Sequence, residues 1–449
     1  MRLLCLALAA LLLLSLLSCR REDPRPRNVI FLLVDTLRAD RLGTYGYGRR
    51  TSPNLDAFAR EAVRFEDARS QSSCTFPSVN SMLTSRWPAA FLDQPGQALG
   101  IPAGIPSLAE ILQASGFRTV AVSASAIVRN TPSRFNPGAG FGRGFEVFEE
   151  DCVWRSAACV NQRALEHLEE GERPLFLYLH YLDPHGPYRP PRTWRRRFAT
   201  GRPEKRWVRA GDPNPLADWL YKGAADPGLT PAGLRHLKDL YDEEIAFFDA
   251  RFAELLDALR ASGLLDDSIV VFASDHGEEF LEHGHVKHCR TLFDSSIRVP
   301  LLLKIPGVGP RTVSRPVQNL DLVPTLLDSL GIDARRHAFA GTSLRPLLEE
   351  GSRAAGGLQY AMQGTLRSVS DGRFKLIEDL AAGTFSLFDL AADPGETTDA
   401  LRRERRAFFR LRDPLAGWLA RAEGQGTADA SVRKAREAEE RLRALGYLE

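Results

Sequence analysis

The chain has 449 residues, enough to bury at least one sizeable core, with 44% hydrophobic and 26% charged residues. Its formal net charge of +2 is too small for the basic footprint of a nucleic-acid binder. Function must therefore come from a local site.

The chain opens with Arg2, an apolar stretch from Leu3 to Leu17, then Ser18-Cys19 and a polar segment through Arg27. This run is short for a spanning helix and suits the apolar region of an export signal. Leu16-Leu17-Ser18-Cys19 looks like a bacterial lipobox, so we expect a lipoprotein-type signal peptide over 1–18, a linker over 19–27, and a lipid anchor at Cys19. An ordinary signal peptide and an uncleaved anchor are the alternatives. All three export the remainder, to a bacterial periplasm or cell envelope.

Three apolar runs each end in polar, chemistry-bearing residues. Val29 to Val34 is followed by Asp35, Leu175 to Leu179 by His180, Asp183 and His185, and Ile269 to Ala273 by Ser274, Asp275 and His276. Such runs read as strands buried on both faces of a sheet, and open α/β sheets bind ligands beyond the carboxyl ends of their strands. Between them, Ser107 stands where it can cap a helix over Leu108 to Leu112, with Gly116 at its stop, and Thr119 to Val122 reads as the next strand. Tyr241 to Leu259 has helical periodicity through Ile245, Phe248, Phe252, Leu255, Leu256 and Leu259. Val299 to Lys304 opens a further strand, and Asp321 to Leu330 a helix ending at Gly331. The alternation predicts an α/β fold, a large doubly wound, mostly parallel sheet flanked by helices, over 28–350. After about residue 350, short strand-like pieces such as Phe374 to Ile377 and Ser386 to Asp389, then a charged helical tail from about Ser431, predict a smaller C-terminal α+β subdomain over 351–449.

Cys5 and Cys19 belong to the leader, which leaves Cys74, Cys152, Cys159 and Cys289. Cys152 and Cys159 are close enough to close a small loop in an oxidising compartment, although spacing alone does not fix a pairing. No Cys-x-x-Cys pattern is present, so oxygen and imidazole ligands would hold any metal. Between His276 and His288 the chain carries four histidines and three glutamates, more than surface solvation asks for, and spacing leaves open which of His283, His285 and His288 take part. A divalent cation held by Asp35, Asp275 and His276 can activate the Thr75 hydroxyl for attack on a sulfate or phosphate ester, with His185 and His288 placed to stabilise the leaving oxygen or bind the anion. Asp35 and Thr75 each have a plainer reading as helix-start residues. From Arg189 to Arg209 there are nine Lys or Arg and one acid, Glu204, with Trp194 and Trp207 interleaved. This stretch is either a solvated loop or a cationic rim for an anionic substrate.

Asp35-Thr36-Leu37-Arg38-Ala39-Asp40-Arg41-Leu42-Gly43, Thr51-Ser52-Pro53-Asn54, and Thr75-Phe76-Pro77-Ser78 with Leu83-Thr84 resemble the opening motifs of a sulfatase of the alkaline phosphatase superfamily. Ser274-Asp275-His276-Gly277-Glu278, Ser296-Ile297-Arg298-Val299-Pro300-Leu301, and Leu387-Phe388-Asp389-Leu390 with Asp393-Pro394-Gly395-Glu396 match later ones. The resemblance implies a large α/β domain with a smaller one holding a short antiparallel sheet. It implies metal ligation by Asp35, Asp275, His276 and the nucleophile Thr75, and anion contact by His185. We add His288 and Lys287 as catalytic candidates. The usual formylglycine precursor is a cysteine two residues before the proline, followed by an arginine. Here that cysteine position holds Thr75, Val79 replaces the arginine, Thr36 replaces a second ligand aspartate, and nothing near Ser123-Ala124-Ser125 matches the Gly-Lys-x-His segment. Formylglycine is therefore not expected.

An unmodified threonine is similar to what phosphodiesterases and phosphoethanolamine transferases of the superfamily use. The expectation is thus a metal-dependent sulfate-ester hydrolase with Thr75 as nucleophile; a phosphodiesterase or phosphotransferase, and a degenerate anion-binding lipoprotein, are the alternatives. Calcium or magnesium suits a single oxygen-rich site, and recruited histidines would favour zinc or manganese. The expected partners are an anionic ester of a glycan, lipid or small molecule and, through the N-terminal lipid, a membrane; nucleic acid is not expected.

Overall fold

The computed structural model describes residues 26–91, 100–153, 156–168, 173–199, 229–349, 352 and 356–422. The expected leader, Trp207 and the tail from Ser431 lie outside these residues. Among the described residues no helix is long and apolar enough to cross a membrane.

The main sheet is built from β1 (Asn28–Val34), β2 (Val63–Arg69), β3 (Arg118–Ser123), β4 (Val147–Glu149), β5 (Leu175–Tyr181) and β6 (Ser268–Ser274). A small ribbon, β7 (Glu279–Phe280) and β8 (Val286–Lys287), follows β6. The chain then adds β9 (Arg298–Lys304), β10 (Arg311–Val313) and β11 (Val317–Gln318) to the main sheet. Its order is β10-β2-β9-β6-β1-β5-β3-β4, with β11 also on β2. The run from Val299 forms a strand as expected, but β9 lies antiparallel to both β6 and β2, so the sheet is mixed around a parallel centre.

That centre, β6-β1-β5-β3-β4, is parallel, and β6, β1 and β5 are buried on both faces, which is why they read as apolar runs. Successive side chains alternate between two cores. Ile30, Leu32, Val34, Leu177, Leu179, Val270 and Phe272 face one, covered by the helices Pro53–Ala59, Ala157–Leu165 and Pro231–Ala261. Val29, Phe31, Leu33, Phe176, Tyr178, Val271 and Ala273 face the other, covered by the helices Thr75–Thr84, Leu108–Ala114 and Leu322–Leu330. The expected helix at Tyr241 starts ten residues earlier, at Pro231, where the Thr230 hydroxyl accepts from the Gly233 amide. Ser107 caps its helix with Glu110 returning to the Ser107 amide, a reciprocal pair that satisfies two otherwise free backbone donors.

The C-terminal unit is an antiparallel meander of β12 (Gln359–Gln363), β13 (Leu366–Ser370), β14 (Phe374–Asp379) and β15 (Thr384–Asp389). The helix Arg405–Ala422 packs on it through Ala407, Leu411, Leu415 and Trp418. The unit is joined to the large one by a buried ion cluster. Arg69 of β2 pairs with Asp294 at 2.9 Å, and Lys375 of β14 pairs with Asp294 at 2.7 Å and with Glu396.

Candidate active site

Register places the site. β1 lies between β5 and β6, with Val34 opposite Ser274 and Leu33 opposite His180. Asp35 and Asp275 are therefore the next residues of adjacent parallel strands, and by side-chain alternation they emerge on the face covered by the helix Thr75–Thr84. Chain connections from β1 lead to β2 on one side of the sheet, while β3 lies on the other, so the carboxyl end of β1 is where strand order reverses.

One ligand atom each from Asp35, Asp275 and His276 lies within 4.8 Å of the others, and all three residues are buried. Thr75, first residue of its helix, brings Oγ1 to 3.1 Å from His276 Nε2. The His276 ring is turned by its own backbone: Nδ1 donates to the Gly277 carbonyl at 2.9 Å, which leaves the Nε2 lone pair facing the carboxylates. Asp275 Oδ1 accepts from the Thr36 amide at 3.2 Å and the His276 amide at 2.9 Å, so Oδ2 is the atom left toward the site. Gly277 is required by a close approach, since a Cβ there would stand 2.1 Å from the Ser295 carbonyl oxygen.

Electrostatics say what this cluster can hold. Burial, reinforced by the facing Asp35 charge, pushes Asp275 up to about 6. Burial also opposes ionisation of Asp35, yet His185, His180 and His276 outweigh it and hold that carboxyl well below the usual range. Asp35 Oδ1 and Asp275 Oδ2 are buried without a hydrogen-bond partner. Two facing carboxylates with orphaned oxygens and an imidazole lone pair match the donor set of a divalent cation. Metals bound there would be held by Asp35, Asp275 and His276, with Thr75 beside them.

A second tier of histidines stands over this cluster. The His288 ring lies 4.6 Å from that of His276 and 5.1 Å from that of His185. His288 Nδ1 is 2.9 Å from Glu278 Oε1, and the Tyr188 hydroxyl donates to Glu278 Oε2 at 2.8 Å. Burial disfavours the Glu278 charge, but His288 and Tyr188 hold its carboxyl below the ordinary value. Of the loop histidines that spacing left open, His288 is thus the one drawn to the cluster, whereas His283 pairs with Glu279 at 3.0 Å and stacks on Phe293. Lys287 sits on the partly exposed ribbon, paired through its backbone with Glu279. From the basic stretch, Trp194 packs against Phe247 in the core, so the described part of that segment is not wholly a solvated loop.

Three further features were named from the sequence without the part that the structure assigns them. His180, at the end of β5, is fully buried with Nε2 3.6 Å from Asp35 Oδ2 and Nδ1 3.1 Å from the Tyr178 hydroxyl. Its even spacing from Phe176 and Tyr178 along β5 was the available signal. Thr36 adopts left-handed backbone at φ 57° and turns its hydroxyl back to the Asp35 carbonyl, so it supports Asp275 through its amide instead of offering a side-chain ligand. Finally, Cys74 is bonded to Cys289, 215 residues away, while Cys152 and Cys159 close the small loop that their spacing allowed.

A mixed sheet with convergent carboxylate and imidazole ligands beyond its parallel strands, plus a C-terminal antiparallel unit, defines a hydrolase of the alkaline phosphatase superfamily type. Residues 27–332 match the sulfatase family model, and 281–412 match the model for the C-terminal part of N-sulphoglucosamine sulphohydrolase. The chain belongs to the sulfatase family. It is 25% identical over 431 residues to a choline-sulfatase of Rhizobium meliloti, covering 84% of this chain and 83% of that one. Among solved structures it resembles a sulfatase described as putative from Bacteroides thetaiotaomicron, with TM-score 0.71 and 19% identity over 89% of this chain and 93% of the other. A phosphonate monoester hydrolase from Silicibacter pomeroyi has TM-score 0.70 and 20% identity over 88% and 95%.

Proposed function

We propose that this enzyme hydrolyses sulfate esters with unmodified Thr75 as its nucleophile and a divalent cation held by Asp35, Asp275 and His276. The observation that carries this reading is the placement of Thr75 Oγ1 3.1 Å from His276 Nε2, at the first turn of a buried helix, while the neighbouring thiol of Cys74 is consumed in a disulfide. A cation there supplies charge to polarise the ester oxygen and to lower the pKa of the threonine hydroxyl. Thr75 Oγ1 gives up its proton to solvent and attacks sulfur, the bond from sulfur to the ester oxygen breaks, and a threonyl sulfate forms. His288 is fixed by Glu278 at Nδ1, so its Nε2 is the atom turned toward the leaving oxygen, to which it gives a proton. Water then attacks the sulfur of the threonyl sulfate and gives a proton to His288, the bond from sulfur to Thr75 Oγ1 breaks, sulfate leaves, and Oγ1 takes back a proton from solvent. His185, which burial keeps below its ordinary pKa against the pull of Asp35, contacts the anion, with Lys287 a helper at the rim.

A small sulfate ester is the substrate class that likeness to a choline-sulfatase supports. The described arginines from Arg189 to Arg197 are the rim that attracts it. The same unmodified threonine favours a second reading at phosphorus, because a threonyl phosphate is resolved by attack at phosphorus without the elimination route a formylglycine diol offers. An aryl sulfate, a phosphate monoester and a phosphodiester, assayed side by side with added Ca, Mg, Zn or Mn, decide between them. Turnover of the sulfate ester that Thr75→Ala reduces by ~10³-fold or more supports the sulfatase reading. Turnover confined to the phosphodiester moves it to phosphorus, and turnover of none leaves an anion-binding protein. We also propose export with lipid anchoring at Cys19; Cys19→Ala should move the protein from the membrane to the soluble fraction, and retention in the membrane overturns the anchor.

A further inference from the structure

The two half-cystines stand at matching places in the site: Cys74 immediately precedes Thr75, and Cys289 immediately follows His288. Both are buried. The helix that carries Thr75 is held along its length by the core, but the segment that carries His288 has no regular structure, since β8 ends at Lys287. Lys287 and Cys289, on either side of His288, both adopt left-handed backbone, at φ 72° and 67°. Residues with a side chain hold that conformation only where their surroundings over-determine it.

What over-determines it converges on residues 72–74. The Cys289 amide donates to the Ser73 carbonyl at 2.8 Å. Its carbonyl accepts from Gln363 Nε2 at 3.0 Å, and Gln363 Oε1 in turn accepts from the Ser72 hydroxyl at 2.7 Å. Its sulfur is bonded to Cys74. Hydrogen bonds alone leave the loop free to slide when they exchange with water; the covalent bond does not.

We propose that Cys74 and Cys289 are positioning residues, and that their disulfide fixes the nucleophile Thr75 against the proton donor His288. The inference rests on the reading of those two residues given above. Without the crosslink, Lys287 and Cys289 can relax to ordinary backbone angles, and the His288 ring leaves its place above His276 and its bond to Glu278. Misplacement by about an ångström costs roughly 100-fold in rate without weakening the binding of metal or substrate.

Peptide mapping of the full chain without reductant should return the Cys74 and Cys289 fragments as one linked species, and a free thiol at either position overturns the proposal. The Cys74→Ala, Cys289→Ala double variant, assayed well below its unfolding midpoint, should lose roughly 10- to 100-fold in kcat. Its KM and its affinity for the added divalent metal should stay within about 3-fold. The imidazole NMR signal of His288, assigned through His288→Gln, should shift. Unchanged kcat with an unchanged His288 signal overturns the proposal, as does a loss of kcat that only tracks the unfolded fraction. If the double variant does not fold, native protein reduced with a phosphine, with alkylation confirming thiols at 74 and 289, is put through the same measurements. Full activity of Thr75→Ala would instead overturn the nucleophile reading, and the His288 signal would still decide whether the crosslink holds that ring.

Discussion

Asp35 presents two oxygens to two different neighbours. Oδ1 stands 3.7 Å from His276 Nε2 and Oδ2 stands 3.6 Å from His180 Nε2, with Tyr178 behind His180. Ligating carboxylates are oriented by such outer partners, and losing one typically weakens metal binding by 10- to 100-fold. His180→Ala should therefore weaken divalent metal binding by roughly 10- to 100-fold in a chelator competition. His180→Gln, whose amide nitrogen can take the place of Nε2, should recover part of it, and unchanged affinity in His180→Ala would remove His180 from the site. Asp35, Asp275 and His276 were legible in the sequence because each lies just beyond an apolar run and within a recognisable motif. His180 also ends such a run but received no role, because a buried histidine among apolar strand neighbours looks the same whether it faces a metal site or a satisfied core; only the register against β1 separates the two.

At the level of the element, the helix Thr75–Thr84 explains why the sequence departs from the usual motif at Val79. That residue is fully buried with Met82 and Leu83 in the core that also holds Phe31 and Leu33 of β1 and Val271 and Ala273 of β6. An arginine here would place a longer, charged side chain in a fully buried apolar position. Val79→Arg, which restores the familiar residue, should therefore destabilise the protein by about 3 kcal/mol or more and lower its midpoint in thermal unfolding. A midpoint within a degree of wild type would mean that the site has room for the guanidinium. Helix and strand positions were readable because burial imposes a period on nearby residues, and Ser107 marked a start by local chemistry alone. The direction of β9 was not readable, since an apolar run pairs equally well either way until its neighbours are known.

For the whole molecule, the joint between the two units is ionic and buried. Lys375 and Arg69 share Asp294, whose carboxyl is held far below its ordinary value: burial opposes its charge, but Arg69 and Lys375 prevail. Lys375→Ala leaves Asp294 and Glu396 facing each other with one cation fewer, and should cost about 3–5 kcal/mol in denaturant unfolding. A loss under ~1 kcal/mol would show the cluster to be solvated. Because the folded pKa of Asp294 is depressed, its contribution is fully present above the unfolded carboxylate range and disappears as pH falls through the folded value, in strong acid. Glu396 shifts the other way, since burial raises its pKa despite Lys375, so acid favours its neutral form in the folded state and partly offsets that loss. By itself the sequence determined the α/β class, the strands that end in Asp35, His180 and Asp275, the sulfatase resemblance and the threonine in place of cysteine, because these are written in neighbouring residues. Only the tertiary structure decided that His288 is the loop histidine at the cluster, that Asp294 meets Lys375, and that Cys74 is spent on Cys289. Those are contacts between residues far apart in the chain, and packing, not spacing, chooses such partners.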